Sequence, residues 1–398
     1  MIEARLREIE AIRTQKSKIE EYIKLLEELF EHKQLDFLKV FVTHIISSST
    51  ASAVCHVIFQ EFSKNMPRLP SELHIELANY TIENTRSRSS AFEDEIAKIR
   101  ENLAAVYESR EQWLKAAKTL AELPLEHGGR GLDTHYLIDK YVKIARNFLE
   151  IEYPEAERYL TKAAALIQSC TDPSLISSCE ACIARNHEVK QRFSEAATHY
   201  HKLAGMLTEE SDRENALENA IICAIMARAG PSRSRQLGVL YKDERSVGLK
   251  LYPILQKMFT DRILRKQEVD NFVALLKMKP NFAKNMTNTM PALDKAIREH
   301  NLLSASKIYL SISFDELALL LDVSAEQAEK LAATMIGEDR LQGNIDQIER
   351  TINFENFDVS KLWGVRIELT CLCANKILEM ITTKHPGFTE TMSGHRLE

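Results

Sequence analysis

Two residue types are scarce in this chain. Its 398 residues include 12 glycines and 10 prolines, each about half the usual usage. A barrel or loop-rich sandwich turns too often for that supply, so long helices joined by few turns are expected. Missing too is any apolar run near the ~20 residues a membrane span needs, and no membrane association is expected. The opening stretch, MIEARLREIEAIRTQKSKIEE, is charged throughout and has no apolar core, so it does not read as a secretory signal. Surplus base is absent as well. The net charge is −6 with a pI near 6.1, which gives no global attraction to nucleic acid or anionic lipid. Seven cysteines is an odd number, and in a long chain without a signal it fits reduced thiols in the cytoplasm or nucleus.

Catalytic signatures are also wanting. There is no Walker A, no Rossmann glycine pattern, no kinase set and no G-x-S-x-G elbow. Without that elbow, the run His127-Gly128-Gly129-Arg130-Gly131 reads as a loop, not as an esterase oxyanion hole. His199-Tyr200-His201, with Asp212 further on, resembles the zinc ligands of a JAMM-type metalloprotease. The position where that pattern needs serine holds Glu209, and the two histidines fall inside an expected helix. Residues two apart on a helix project ~200° apart and do not share one ion. Cys179-x-x-Cys182, near Cys170 and His187, is a single CxxC on a probable helix and reads as buried thiols between packed helices. The run Arg233, Arg235, Lys242, Arg245 is interrupted by Asp243 and Glu244 and reads as a solvated or salt-bridged face. No cofactor and no metal are expected.

What is present is helical periodicity. Ile19, Ile23, Leu26 and Phe30 form one stripe, and Leu35, Leu38 and Val42 begin another. Ser47 to Ser52 reads as a turn, and Pro67 and Pro70 punctuate the next break. Trp113-x-x-Ala116, Tyr153-x-x-Ala156 and Phe193-x-x-Ala196 then share one pattern, each offset by forty positions and each expected to open a helix. A helix of similar register precedes each one. This is a helix-turn-helix repeat of tetratricopeptide or HEAT kind, whose small residues let paired helices approach and whose stacked units bury one continuous core. Residues 212–265 continue the helices, with a break at Gly230-Pro231. Residues 277–292 contain two prolines and read as a loop.

From Glu299 to Phe357 the pattern changes. A helix is followed by Ser313 with Glu316, then by Ser324 with Gln327, two N-terminal capping signals whose partners stand three residues apart. Asp322-Val323 separates the two helices, and Gly337 is placed to cap the second. Period-two alternation follows through Leu341, Gly343 and Ile345 and again through Ile352 and Phe354, joined by a turn at Ile348 to Arg350. That is a winged helix with a two-stranded wing. Between Ile312 and Phe357 ten acids face only Lys330, Arg340 and Arg350. A recognition element so charged repels phosphate, so a protein-contacting module is expected and nucleic acid is not. The strand Ile352–Glu355 is expected to pair edge to edge with a neighbour.

Leu362 to Ile381 reads as one terminal helix. Trp363, Ile367, Thr370, Ala374, Ile377 and Ile381 make one apolar seam, and Leu362, Val365, Leu369, Leu372 and Met380 make a second. A helix apolar on most sides is buried on most sides, and one winged helix does not suffice to cover it. The expected interface residues are therefore Ile352, Phe354, Trp363, Ile367, Ala374, Ile377 and Ile381. The expected division is a helical-repeat arm over 1–292, a winged helix over 293–358, and a bundle helix with tail over 359–398.

Helical repeats, an acidic winged helix and a lone amphipathic helix together are the layout of the PCI-domain family, the scaffold subunits of the proteasome lid, the COP9 signalosome and a translation initiation factor. The strings DERSVGLKLYPILQKMFTDRILR (243–265), EHNLLSASKIY (299–309), GNIDQIERTINFE (343–355) and FEDEIAKIRENLAAVYESREQW (92–113) resemble the signalosome members of that family. The resemblance implies a non-catalytic subunit in the cytoplasm and nucleus. Its winged helix would abut other signalosome subunits in an open ring, and its terminal helix would join their bundle. Its arm would engage a cullin–RING ligase, with engagement relayed to a metalloprotease pair that deneddylates the cullin. It also implies a variable insertion near that pair at 277–292. A proteasome-lid scaffold shares the layout. A nucleic-acid-binding winged helix and a zinc hydrolase are the readings from other classes, opposed by the acidic wing and by the helical His-x-His.

Overall fold

The computed structural model describes residues 2–12, 14–47, 52–86, 92–125, 133–279, 282, 286–354 and 359–384. The turn expected across 47–52 lies largely outside them, and the 127–131 run lies wholly outside. The protein is an all-α helical-repeat solenoid followed by a winged-helix PCI-type module with a small sheet. It divides into two compact units, Met1–Cys223 and Ala224–Glu398. The expected boundary at 292/293 is not where these units separate.

The first unit contains α1 (Ile2–Glu10), α2 (Gln15–Glu31), α3 (Leu35–Ser47), α4 (Ser52–Asn65), α5 (Ser71–Thr85), α6 (Glu93–Ser109), α7 (Trp113–Ala121), α8 (Thr134–Glu150), α9 (Ala156–Ile167), α10 (Pro173–Val189), α11 (Phe193–Met206) and most of α12 (Glu210–Met226). Successive helices pair as hairpins, α6 with α7, α8 with α9 and α10 with α11. Ala116, Ala156 and Ala196 are buried at the crossings, where a larger side chain would hold the helices apart. One core runs unbroken from Ile2 to Cys182. Cys170, Cys179 and Cys182 are buried in it, and burial pushes the Cys179 thiol up to about 12. Polar bridges tie each repeat to the next. Asn102 donates to the Ser63 carbonyl at 3.0 Å, Asn147 to Glu108 at 2.6 Å and Arg185 to Glu150 at 2.7 Å.

Three hairpins turn in the same way. The N–H groups of Gln112, Tyr153 and Arg192 donate five residues back, to the carbonyls of Tyr107, Phe148 and His187 at 2.8–2.9 Å. Each preceding residue, Glu111, Glu152 or Gln191, is left-handed with φ between 54° and 58°. This is the Schellman helix end, normally built on glycine. A chain short of glycine builds it from ordinary residues. Tyr153 departs from its expected place. It precedes α9 by three residues, since Pro154 disfavours helical backbone in the residue before it, and its ring stacks on Phe148 at 5.4 Å.

The second unit holds α13 (Pro231–Lys242), α14 (Tyr252–Phe259), α15 (Lys266–Lys277), α16 (Met286–Ile308), β1 (Ser311–Ser313), α17 (Phe314–Leu321), α18 (Ala325–Gly337), β2 (Gly343–Asp346), β3 (Thr351–Phe354) and α19 (Val359–Lys384). The loop expected over 277–292 is partly helix. Pro291 lies inside α16, in its second turn, where it removes one i→i−4 hydrogen bond that the rest of this long helix outweighs. The capping hydroxyls of Ser313 and Ser324 accept the N–H groups of Glu316 and Gln327, each at 3.3 Å. Asp322 takes φ 56° and ends α17. Gly337 stays helical, and the left-handed residue after α18 is Asp339, at φ 56°. Ile312, Leu317, Met335, Leu341 and Ile352 form the module's core.

Three consecutive polar residues on α16 are buried, and each reaches a different partner. Glu299 receives Arg340 through both guanidinium nitrogens, at 2.5 and 3.2 Å, and the Ala229 N–H at 3.2 Å. Asn301 bonds both the N–H and the carbonyl of Leu264, at 2.9 and 3.2 Å. His300 donates from Nε2 to the Arg262 carbonyl at 2.9 Å and accepts at Nδ1 from Arg233 at 3.2 Å. Arg233 is thus a core residue, contrary to the solvated face expected of it, and burial pulls its pKa down to about 10.

Replacing Glu111 or Gln191 by Gly should stabilise the protein by about 0.5–1 kcal/mol each, because left-handed backbone costs a β-carbon-bearing residue roughly 1–2 kcal/mol. Thermal unfolding checks this, and a fall in Tm for both variants would refute it. A second outcome concerns acid. Burial, and then the Arg233 charge, hold His300 down at about 4, against 6.5 when unfolded. The unfolded chain therefore takes a proton that the folded one refuses. The stabilisation is complete above pH 6.5 and disappears as the pH falls towards 4, a swing on the order of 3 kcal/mol at most. His300→Gln should flatten this part of the denaturation profile. An unchanged slope would show that His300 does not set it.

Candidate assembly interface

The free surfaces of the second unit decide what it can bind. Along α19 most of the described apolar side chains of both expected seams stand in solvent. Ile367 is 58% exposed and Ile377 53%, and Leu369, Leu372 and Met380 are each more than half exposed. Ala374 is exposed and Ile381 half-buried, while Trp363 lies in α19 with its side chain outside the described residues. With Leu378, six large apolar groups exposed on one helix exceed the scattered exposure of a monomer surface.

The sheet corrects the expectation for Ile352 and Phe354. The strand order is β1-β3-β2, both pairings antiparallel, with Ile352 opposite Ile312 on one side and Ile345 on the other. β3 is therefore the central strand. It offers no edge, and Ile352 and Phe354 are core residues at 0% and 5% exposure. The wing is three-stranded because Ser311–Ser313, too short to show alternation, joins it.

The open edges are those of β1 and β2. β2 presses close to β3. A Cβ on Gly343 would sit 2.6 Å from the Asn353 carbonyl oxygen, so glycine is required there. β2 ends in Asp346, whose carboxylate accepts the N–H groups of Ile348 and Glu349 at 2.9 and 3.1 Å. That acidic end discourages pairing. β1 is preceded by Ile308, Tyr309 and Leu310, all exposed, and so presents an apolar approach to an open edge.

Charge on the module leans further to the acidic side than the sequence indicates. Arg340 is committed to Glu299 and Glu338, and Arg350 lies 3.5 Å from Asp315. Arg340 in turn holds the Glu338 carboxyl below its usual range. The remaining sequence candidates have structural partners. His199 sits on α11 with Nδ1 2.8 Å from Glu180, and Arg245 pairs with Asp243 at 2.7 Å. Sequence reasoning did not find the Glu299-His300-Asn301 cluster. Its signal was a run of polar residues inside an apolar helix.

Residues 256–356 match the family model described as PCI domain, and residues 2–210 match that described as PSMD12/CSN4, N-terminal. Three relatives are similar along nearly their whole length, each named COP9 signalosome complex subunit 4. That of Dictyostelium discoideum is 42% identical over 96% of this chain and 97% of its own. That of Arabidopsis thaliana is 39% identical over 94% and 96%, and that of Drosophila melanogaster 35% over 96% and 94%. With a helical-repeat unit, an acidic winged helix and an uncovered terminal helix matched from end to end by these relatives, the chain belongs to the COP9 signalosome subunit 4 family of PCI-domain proteins.

Proposed function

We propose that this chain is a non-catalytic scaffold subunit of a COP9 signalosome, working in the cytoplasm and nucleus. The observation that carries the reading is α19, on which Ile367 and Ile377 of one apolar seam and Leu369, Leu372 and Met380 of the other are exposed in the isolated chain. Such a helix needs neighbours on two sides, which a bundle of helices from other subunits supplies. The second contact is the β1 edge, where an adjacent subunit's winged helix adds an extended segment through main-chain hydrogen bonds. The helical-repeat unit engages the cullin–RING ligase, and that engagement is relayed to the metalloprotease pair that removes the modifier. This chain contributes position, and the reacting atoms belong to other subunits. The names of its relatives support the complex, and the acidic winged helix favours protein over nucleic-acid partners.

Ile367→Asp with Ile377→Asp should release the protein from its complex, because burying an unpaired charge costs roughly 2 kcal/mol or more at each site. Both side chains face solvent in the free chain, so its circular dichroism and unfolding midpoint should not change. Co-purification of the other subunits at normal yield would sink the bundle reading. Ile308→Lys with Leu310→Lys, at the approach to β1, should cost the adjacent ring subunit about tenfold in recovery and leave bundle partners attached. Equal recovery of both would move the ring contact away from β1. Affinity purification of the tagged chain with a cullin deneddylation assay on the eluate tests the whole. Recovery of proteasome subunits, or of nucleic acid with a lone chain, would overturn it.

A further inference from the structure

The stretch from Pro231 to Arg262 reverses the charge of the chain. It holds seven bases and three acids in a protein whose net charge is −6, and it belongs to the same unit as the acidic winged helix. Several of these charges are already in use. Arg233 is buried against His300. Arg245 holds Asp243 through two nitrogens, at 2.9 and 2.7 Å. Lys257 is bound to Glu268, and Asp261 to Lys307. Arg235, Lys242, Lys250 and Arg262 are exposed and make no ion pair among the described residues. Of the three acids, Glu244 alone is left without a cation among them.

Aromatic rings stand among those cations. Tyr241 on α13 lies between Tyr252 and Phe259 of α14, with centroids 5.8 and 4.7 Å away and planes within 8° and 21°. Phe259 also packs on Gly238, where a Cβ would come within 3.2 Å of its ring. Positions three before and four after a helical residue lie on its own face. Arg235 and Lys242 therefore flank Gly238 and the ring upon it. Val239, on the same face, is 52% exposed, and Phe259 is exposed as well. Three stacked rings, two free cations and an uncovered valine share one surface. None of these residues belongs to α19 or to the β1 edge.

We propose that this face of α13 and α14 docks an acidic segment of a partner protein, which lays an aromatic side chain on the Tyr241–Tyr252–Phe259 stack and sets carboxylates against Arg235 and Lys242. Charge selects the partner, since four unpaired cations against one unpaired carboxylate attract acid and repel base. The rings select what the segment carries, because another aromatic side chain extends an offset stack. Single-stranded nucleic acid also stacks bases on rings beside cations. Here Glu244 lies in the same stretch and the chain as a whole is negative, and both oppose a phosphate backbone.

The test is selection of random phage-displayed peptides, each of about twelve residues, on the full chain, with the double variant Arg235→Glu and Lys242→Glu as the counter-selecting protein. Both side chains are exposed, so this variant keeps the fold, which circular dichroism checks. Enriched peptides should be acidic and carry an aromatic residue. A synthetic peptide of the enriched sequence, followed by fluorescence anisotropy, should bind the full chain about tenfold more tightly than it binds the charge-reversed variant or Phe259→Ser. Replacing its aromatic residue by Ala should cost about as much, and affinity should fall as salt is raised from about 50 to 200 mM. No enrichment over the charge-reversed protein would overturn the proposal, as would enriched peptides that are neutral or basic. It is also overturned if an oligothymidylate of about twelve nucleotides binds the full chain and the same charge reversal releases it.

Discussion

The second unit depends on three neighbouring polar side chains buried in one helix. Glu299, His300 and Asn301 lie on successive positions of α16 and reach Arg340, Arg262 with Arg233, and the Leu264 backbone. A buried polar group that loses its partner costs the full desolvation of that group, whereas a satisfied one contributes little net stability. The cluster therefore acts through exclusivity. Rotating or sliding α16 by one residue would strand a carboxylate, an imidazole and an amide together. Arg340 lies three residues past the end of α18, so the Glu299 pair fixes the winged helix against α16. The sheet, and with it the open edge of β1, takes its orientation from that pairing.

The first unit obeys a different logic. It has no single anchor. Asn102, Asn147 and Arg185 each bridge only to the repeat before, and the alanines at the crossings set helix spacing one pair at a time. The same economy shows in the turns. Glu111, Glu152 and Gln191 adopt a backbone that glycine would adopt without strain. Because the strain is repeated at equivalent turns, it is a property of the repeat and not of one site.

Much of this was legible in the sequence. Forty-residue spacing announced the repeats, since Ala116, Ala156 and Ala196 must be small wherever paired helices cross. Ser313 and Ser324 announced two helix starts, because a hydroxyl at that place satisfies an N–H that the helix cannot. Strand order was not legible. Alternation in Thr351–Phe354 reports one buried face but not whether one or two strands flank it, and so Ile352 and Phe354 were expected at an edge they do not form. Ser311–Ser313 is too short to alternate. Pro291 suggested a loop and instead lies in the early turns of a helix. Arg233 looked solvated by its neighbours in sequence, while the residues that bury it, such as His300, are distant in the chain. Periodicity captures what a residue's neighbours along the chain decide, and it misses what distant ones decide.

The exposure of α19 bears on how much of this protein a cell can keep. Chaperones and proteases act on apolar segments that stay uncovered, and a helix with Ile367, Leu372 and Ile377 in water is such a segment. On the proposed bundle reading, copies that find partners would lose the mark and copies that do not would retain it. The helix would then double as a stoichiometry gauge, with the steady-state amount following the supply of the other subunits and not its own rate of synthesis.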